Sequence, residues 1–425
     1  MSLGASFRNL KTPFLKLLVF LLPTQLGYHF WPTWAYVFGI RIDYLSPTIY
    51  LTDIIVGLLA FGWFINKKAS IKKTALLGLS ILGAFVFINS FYALLPIVSV
   101  YKWAKIAELI FVGYLVYQDR KIDVAKSIAK PLALALILVF LLAFVQFLSQ
   151  RSVGGPLYFL GERTFNSGTP GISLYSVFGR TFLRPYSTFS HPNSMAGFAG
   201  ASFLFLVGIY LGLRQKKSIL LLGVTASLAS LILSGSKASF VGLILVAGAY
   251  YLFRQRKKLF GKVLAAISLC VVLGSVLLPV FAHWILGKNV VFSDRVSQRL
   301  VLADLAGRVF SQNPVQGVGL NNFIPTAAQL RSEGRFPWIL QPVHNVPLLV
   351  LTEGGIAIFV VWFWLIFRFI KSLKRKSIFF GLIIIFILIT ASADHYWFTL
   401  QQNQLLVAIL LGVILRKNNK DFLLN

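Results

Sequence analysis

Apolar residues run along this chain in continuous stretches of about 16 to 25 positions, each long enough to cross the hydrocarbon core of a bilayer as a helix. Short polar breaks separate them from one end to the other. The stretches do not alternate with a period of two, and in lipid a backbone must satisfy its own hydrogen bonds, so the pattern predicts transmembrane helices and not barrel strands. About twelve spans are predicted, at 13–31, 46–65, 74–94, 103–118, 131–150, 193–212, 218–234, 238–253, 260–282, 345–367, 377–392 and 401–415. The expected fold class is an all-α integral membrane protein, a single polytopic unit over 1–425 with no soluble domain, low-complexity tract or internal repeat.

Composition agrees. Of 425 residues 57% are hydrophobic and 12% charged, with a mean hydropathy of +0.78, against a charged fraction of about 25% in soluble domains. The net charge of +29 raises nucleic acid as a partner, but its distribution argues against one. The basic residues gather in short clusters between apolar runs, as at Lys67, Lys68, Lys72 and Lys73 or at Arg254, Arg256, Lys257 and Lys258. Such clusters mark cytoplasmic loops, and placing them inside puts both termini inside as well. The first run follows Arg8 and Lys11 without a small-residue cleavage site and reads as a retained signal anchor. Cys270, alone and within an apolar run, excludes an internal disulfide and reads as a buried thiol.

Two outer segments exceed simple connectors, 151–192 and 283–344. The second holds a predicted amphipathic helix at 293–310, followed by NPVQGVGLNNF. Loops beyond about 12 to 15 residues are functional or disordered as a rule; the aromatic and apolar content of these two predicts packing. All five histidines and most acids fall at this outer side, so any chemistry is expected to face outward.

Several constellations could carry it. In RPYSTFSHPNSMAG (184–197) a span opens at Pro192, with His191 and Asn193 beside the helix start and Arg184 upstream. Helix N-terminus and guanidinium together suit an anion, while an arginine snorkelling to headgroups is the alternative. SGSKASF (234–240) sets Lys237 in a tight outer turn, as a second phosphate contact or an interfacial lysine. On the predicted amphipathic helix Arg295 and Arg299 share a face, for a ligand or for an acidic membrane surface. In QPVHNVPLLVLTEGG (341–355), His344 and Asn345 stand where a span begins and Glu353 lies within it. A histidine at that wet edge is suited to act as a general base near neutral pH. An intramembrane acid is a functional hypothesis by default, and a structural hydrogen bond is its plainer role. GVGLNNF lacks a phosphate-loop spacing and reads as a turn. No two histidines share one helix at metal-ligand spacing, so no metal is expected.

Taken in order, the HPN opening, the small-residue turn with its cation, the long loop with an Arg-bearing helix, NPVQGVGLNNF, and His344-Asn345 followed by Gly355 resemble the O-antigen ligase and polymerase superfamily. The resemblance is sharpest over 184–355. It implies a GT-C-like membrane glycosyltransferase without cofactor, facing the periplasm from the bacterial cytoplasmic (inner) membrane. Such an enzyme moves a glycan from an undecaprenyl-diphosphate-linked donor to lipid A-core, in ligases, or to a growing glycan chain, in polymerases, as in lipopolysaccharide biosynthesis. It further implies His344 as general base, Arg299, Lys237, Arg184 and Arg295 on the diphosphate, and Asn345, Glu353, His191 and Asn193 in support. Lys237 departs from the arginine common at its position, keeping charge but not the bidentate fork. A transporter of a small anion or lipid-linked sugar is the expectation from another class, weakened because the ionisable residues gather at one face.

Overall fold

The computed structural model describes residues 3–66, 73–213, 217–255, 257–286, 294–330, 339–373 and 377–416. Helix α1 (Leu3–Phe20) ends well short of the hydropathy boundary at 31. The chain past Pro23 forms β1 (Gly27–His29), β2 (Tyr36–Val37), β3 (Ile40–Arg41) and β4 (Thr48–Tyr50), with β1 paired to β4 and β2 to β3. Aromatic side chains make this lobe read as apolar, yet their β propensity and the turn at Phe38 and Gly39, both at positive φ, suit hairpins. Helices α2 (Leu51–Asn66), α3 (Lys73–Phe91), α4 (Pro96–Gln118) and α5 (Lys130–Ser149) follow, α5 entered through a π-helical turn at Ala125–Ala129.

A hairpin, β5 (Leu174–Val177) with β6 (Arg180–Leu183), projects before α6 (Pro192–Gly212), α7 (Ser218–Leu233), α8 (Lys237–Phe253) and α9 (Lys257–Leu286). The remaining helices are α10 (Asp294–Gln312), α11 (Phe323–Gln329), α12 (Val346–Ser372), α13 (Ile378–Ala391), α14 (Tyr396–Thr399) and α15 (Gln401–Leu415). Ala125–Ser149, Pro192–Gly212 and Val346–Lys371 are long and apolar enough to cross a membrane, and shorter apolar helices accompany them. The protein is thus a helical membrane protein, with small hairpins confined to connections.

Helix α6 lies at the centre, against α7, α13 and α15, with Phe198, Phe205, Phe380 and Phe386 fully buried around it. A second core joins the hairpin lobe to the late loop, where Leu45, Leu302, Ala306, Phe323 and Leu348 pack together. A third, smaller core of Phe165, Leu183 and Tyr186 stiffens the segment before α6. Cys270 is exposed on α9, contrary to the buried reading. A lipid-facing helix side is as apolar as a packed one, so hydropathy cannot separate the two.

The first turn of α15 carries Gln401, Gln402, Asn403 and Gln404, all buried. Gln401 donates to Asp53 of α2 at 2.7 Å and to Glu108 of α4 at 3.4 Å. Gln402 donates to Pro23 O and Thr188 O, Asn403 to Ser194 O in α6, and Gln404 to Phe398 O. The carboxylates that Gln401 meets are bridged by Lys105 of α4. Each of the four amide NH2 groups therefore has a partner outside α15, which offsets the cost of burial away from water.

Helix α12 is broken at Gly355, whose φ of 66° and ψ of −177° are open only to glycine. The turn 313–319 lies against the break. Val318 N donates to Thr352 O at 3.2 Å and Gly319 N to Glu353 O at 3.0 Å, while Ile356 N donates to Pro314 O at 2.8 Å. A Cβ on Gly355 would lie 2.2 Å from Val315 O, and one on Gly317 2.3 Å from Glu353 O. NPVQGVG is therefore a backbone plug for an opened helix, and its glycines permit contact of main chain with main chain.

Candidate active site

Two helix starts and one turn meet at the Asp394 carboxylate. Asn345 caps α12, its Oδ1 accepting from Leu348 N at 2.9 Å, and its Nδ2 donates to Ser275 O of α9 at 2.6 Å. His344 is thereby fixed just ahead of the helix. His191 caps α6, its Nδ1 accepting from Asn193 N at 3.1 Å. Asp394 and His395 occupy the turn between α13 and α14.

His344 Nδ1 lies 3.1 Å from Asp394 Oδ1. His395 N donates to the same oxygen at 2.8 Å, and Asn193 Nδ2 donates to Oδ2 at 2.8 Å. Arg184 Nη2 holds Asn193 Oδ1 at 2.6 Å, with Nε on Ser234 O at 2.6 Å and Nη1 on Ser173 Oγ at 2.8 Å. A relay thus runs from Arg184 through Asn193 and Asp394 to His344. Because a carboxylate only accepts, Nδ1 of His344 carries the proton and Nε2 offers its lone pair when the ring is neutral. Nε2 stands 3.2 Å from Gln341 Oε1, which accepts a hydrogen bond from it only in the imidazolium form.

The surrounding charges reinforce this arrangement. Burial alone would raise Asp394, but His344 beside it, with the other imidazoles, holds the carboxyl well below its ordinary value. Asp394 is therefore ionised at neutral pH. Burial lowers His191 to about 4 and His395 to about 3, against the pull of Asp394. Both rings stay neutral, and the positive charge of Arg299 falls on each of them. Tyr44 of the hairpin lobe stands edge-on to His395, ring centroids 5.5 Å apart.

Of the residues expected from sequence, His344, Asn345, His191, Asn193 and Arg184 are brought together. Arg299 is exposed on α10, with its charge directed at the same cluster; Lys237 is exposed at the first residue of α8. The Arg295 side chain lies outside the described residues. Glu353 faces elsewhere: Oε2 accepts from Asn321 N at 2.8 Å and Oε1 from Phe323 N at 3.3 Å, so it secures the start of α11 and not His344. Among the aromatics of the two loops Phe323 and Tyr186 are buried, whereas Tyr158 and Phe159 are exposed; Phe336 and Trp338 lie outside the described residues. Asp394, His395 and Tyr44 carried no signal as site residues beyond an acid and a histidine at a span end. His344, Asp394 and His395 each offer one ligand atom within 4.8 Å of the others and could hold a metal ion, a grouping that helix spacing does not reveal.

A carboxylate-backed histidine, with the charge of Arg299 falling on the neighbouring imidazoles, is an arrangement fitted to acid–base chemistry. The family model described as O-antigen ligase matches residues 222–363, a segment that holds Lys237, Arg299, His344, Glu353 and Gly355. The match covers a minority of the chain and supports its likeness to the O-antigen ligase and polymerase superfamily. No curated protein matches the chain.

Proposed function

We propose that this protein transfers a glycan from undecaprenyl diphosphate to a sugar hydroxyl on the outer face of a bacterial inner membrane, through about twelve spans with both termini inside. The observation that carries the reading is the 3.1 Å pairing of His344 Nδ1 with Asp394. It leaves Nε2 as a base for the acceptor hydroxyl, with the Gln341 amide as the group an acceptor displaces. As the hydroxyl attacks the anomeric carbon from the side opposite the diphosphate, configuration inverts and the proton passes to Nε2. Asp394 stabilises the imidazolium so formed.

The leaving diphosphate gathers negative charge, which fixed cations offset. Arg299 and Lys237 are exposed for that role, and Arg184, with its nitrogens on protein oxygens, positions Asn193 and the turn before α8. Lipid A-core is the favoured acceptor, which makes the protein an O-antigen ligase; a growing glycan chain, and hence a polymerase, is the second reading. The proposed chemistry needs no metal.

Purified protein given an undecaprenyl-diphosphate glycan and each acceptor, with and without chelator, tests the proposal. Transfer that survives chelator and is abolished in His344→Ala supports it. Transfer lost with chelator and restored by a divalent ion assigns the His344, Asp394 and His395 trio to a metal instead. Movement of glycan across vesicles without transfer makes the protein a transporter.

A further inference from the structure

The cation expected from the first long loop, Arg184, lies inside the protein with all three of its nitrogens on Ser234, Ser173 and Asn193. Another arginine of that loop is placed differently. Arg163 is exposed, and its Nη1 donates to Ser190 O at 3.1 Å, one residue before the His191 cap of α6. That bond uses one of five guanidinium N–H groups. Among the described residues no carboxylate lies within ion-pair distance of Arg163, so its charge is not neutralised locally.

Its mounting is rigid. The adjacent Glu162 is buried, with Oε1 accepting from Val153 N and Gln146 Nε2, both at 2.7 Å, and Oε2 from Gly154 N at 2.8 Å. Gln146 in turn binds the main chain at Tyr186 and Ser187. The acid next to Arg163 is thus committed to holding the loop, and the arginine stands on a fixed base. Its charge reaches Tyr44, where the charge of Asp394 is also felt. Tyr44 in turn lies against His395. Arg163, bonded to the residue before the His191 cap and three residues before Asn193, which holds Asp394, and Arg299, whose charge falls on His191, therefore flank one cluster from two different loops.

We infer that Arg163 is a phosphate-binding residue of this site, which with Arg299 clasps a diphosphate above the His344, Asp394 and His395 cluster. The inference rests on the transfer reading for the identity of the diphosphate but not for the existence of the anion site. A pair of guanidinium groups from separate loops fits two linked phosphates, since each fork can take two oxygens of one phosphate. His191 adds a neutral donor: its Nδ1 is occupied by Asn193 N, so the proton sits on Nε2.

Titration of the full-length, detergent-purified protein with inorganic pyrophosphate tests this directly. Arg163→Gln keeps a donor for Ser190 O and loses the charge; Arg163→Lys keeps the charge and loses the fork. Arg163→Gln is expected to weaken pyrophosphate binding about 10-fold to 100-fold, and Arg163→Lys to weaken it less. In the transfer assay Arg163→Gln raises KM for the lipid-linked donor more than it lowers kcat. Pyrophosphate binding equal in wild type and Arg163→Gln, with both proteins folded, overturns the inference. Arg163-dependent pyrophosphate binding in a protein that transfers no glycan overturns the transfer reading and leaves the anion site standing.

Discussion

Asn193 Nδ2 donates to Asp394 Oδ2 at 2.8 Å, so the first turn of α6 and the turn before α14 meet at the carboxylate that serves His344. The base is therefore oriented by elements remote from its own helix. Asp394→Asn is expected to lower kcat by about 10²- to 10⁴-fold, the range of a lost acid–base contribution, because an amide cannot stabilise the imidazolium. KM for the donor should stay within a few-fold. A kcat in Asp394→Asn equal to wild type would show that His344 works without this partner.

The buried imidazoles give stability a pH dependence of definite sign. An unfolded chain takes up protons on histidine below about 6.5, whereas His191 and His395 in the folded protein wait until about 4 and about 3. Stability is fully present above pH 6.5 and declines as pH falls toward those values, because the unfolded state binds more protons. Asp394, held low, adds to the loss at the acid end. Unfolding followed by intrinsic fluorescence in detergent should show a flat Tm above about pH 7 and a fall between about pH 6.5 and 4. His395→Gln should make the fall shallower; an unchanged slope in that variant would count against His395 as a source.

Glu353 and its two N–H partners make a separate prediction. Glu353→Ala strands Asn321 N and Phe323 N at about 1–3 kcal/mol each, while Glu353→Gln retains one acceptor and costs less. Both effects should appear in Tm and leave the pH dependence of transfer in place. A shifted pH profile in Glu353→Gln would tie this acid to the chemistry instead.

Glycine at 355 is a requirement of the main chain. In Gly355→Ala the new Cβ meets Val315 O, which cannot rotate away as a side chain would, and the backbone conformation adds about 1–3 kcal/mol of strain. Folded yield in detergent should collapse. Gly307→Ala, in α10 with open space around it, should instead match or exceed wild type by up to about 1 kcal/mol. Equal yields from the two variants would contradict the role given to the break.

Much of the candidate site is legible in the sequence. A histidine at a span edge, a proline opening a helix and arginines four apart on a polar face are local patterns, and His344, His191 and Arg299 carry them. Asp394 is not legible as the partner of His344, since the pairing joins the start of α12 to the turn after α13, 50 residues apart in sequence. Arg184 looked free for a ligand because sequence does not tell which carbonyls its nitrogens will find. The hairpin lobe was hidden by its own aromatics, which raise hydropathy as helix residues do. Lys102 and Lys105, buried on α4, were masked by the averaging that finds a span at all.

The four amides that open α15 have one more implication. Successive residues of a helix point about 100° apart, so a single turn of Gln401 to Gln404 faces every sector of the bundle and grips a different neighbour in each. That turn works as a spindle, holding α2, α4, the chain just past α1 and the start of α6 in one register. A slip of α15 by one residue would unseat every sector together, so the register of α6, whose Asn193 holds Asp394, is set by the opening turn of α15.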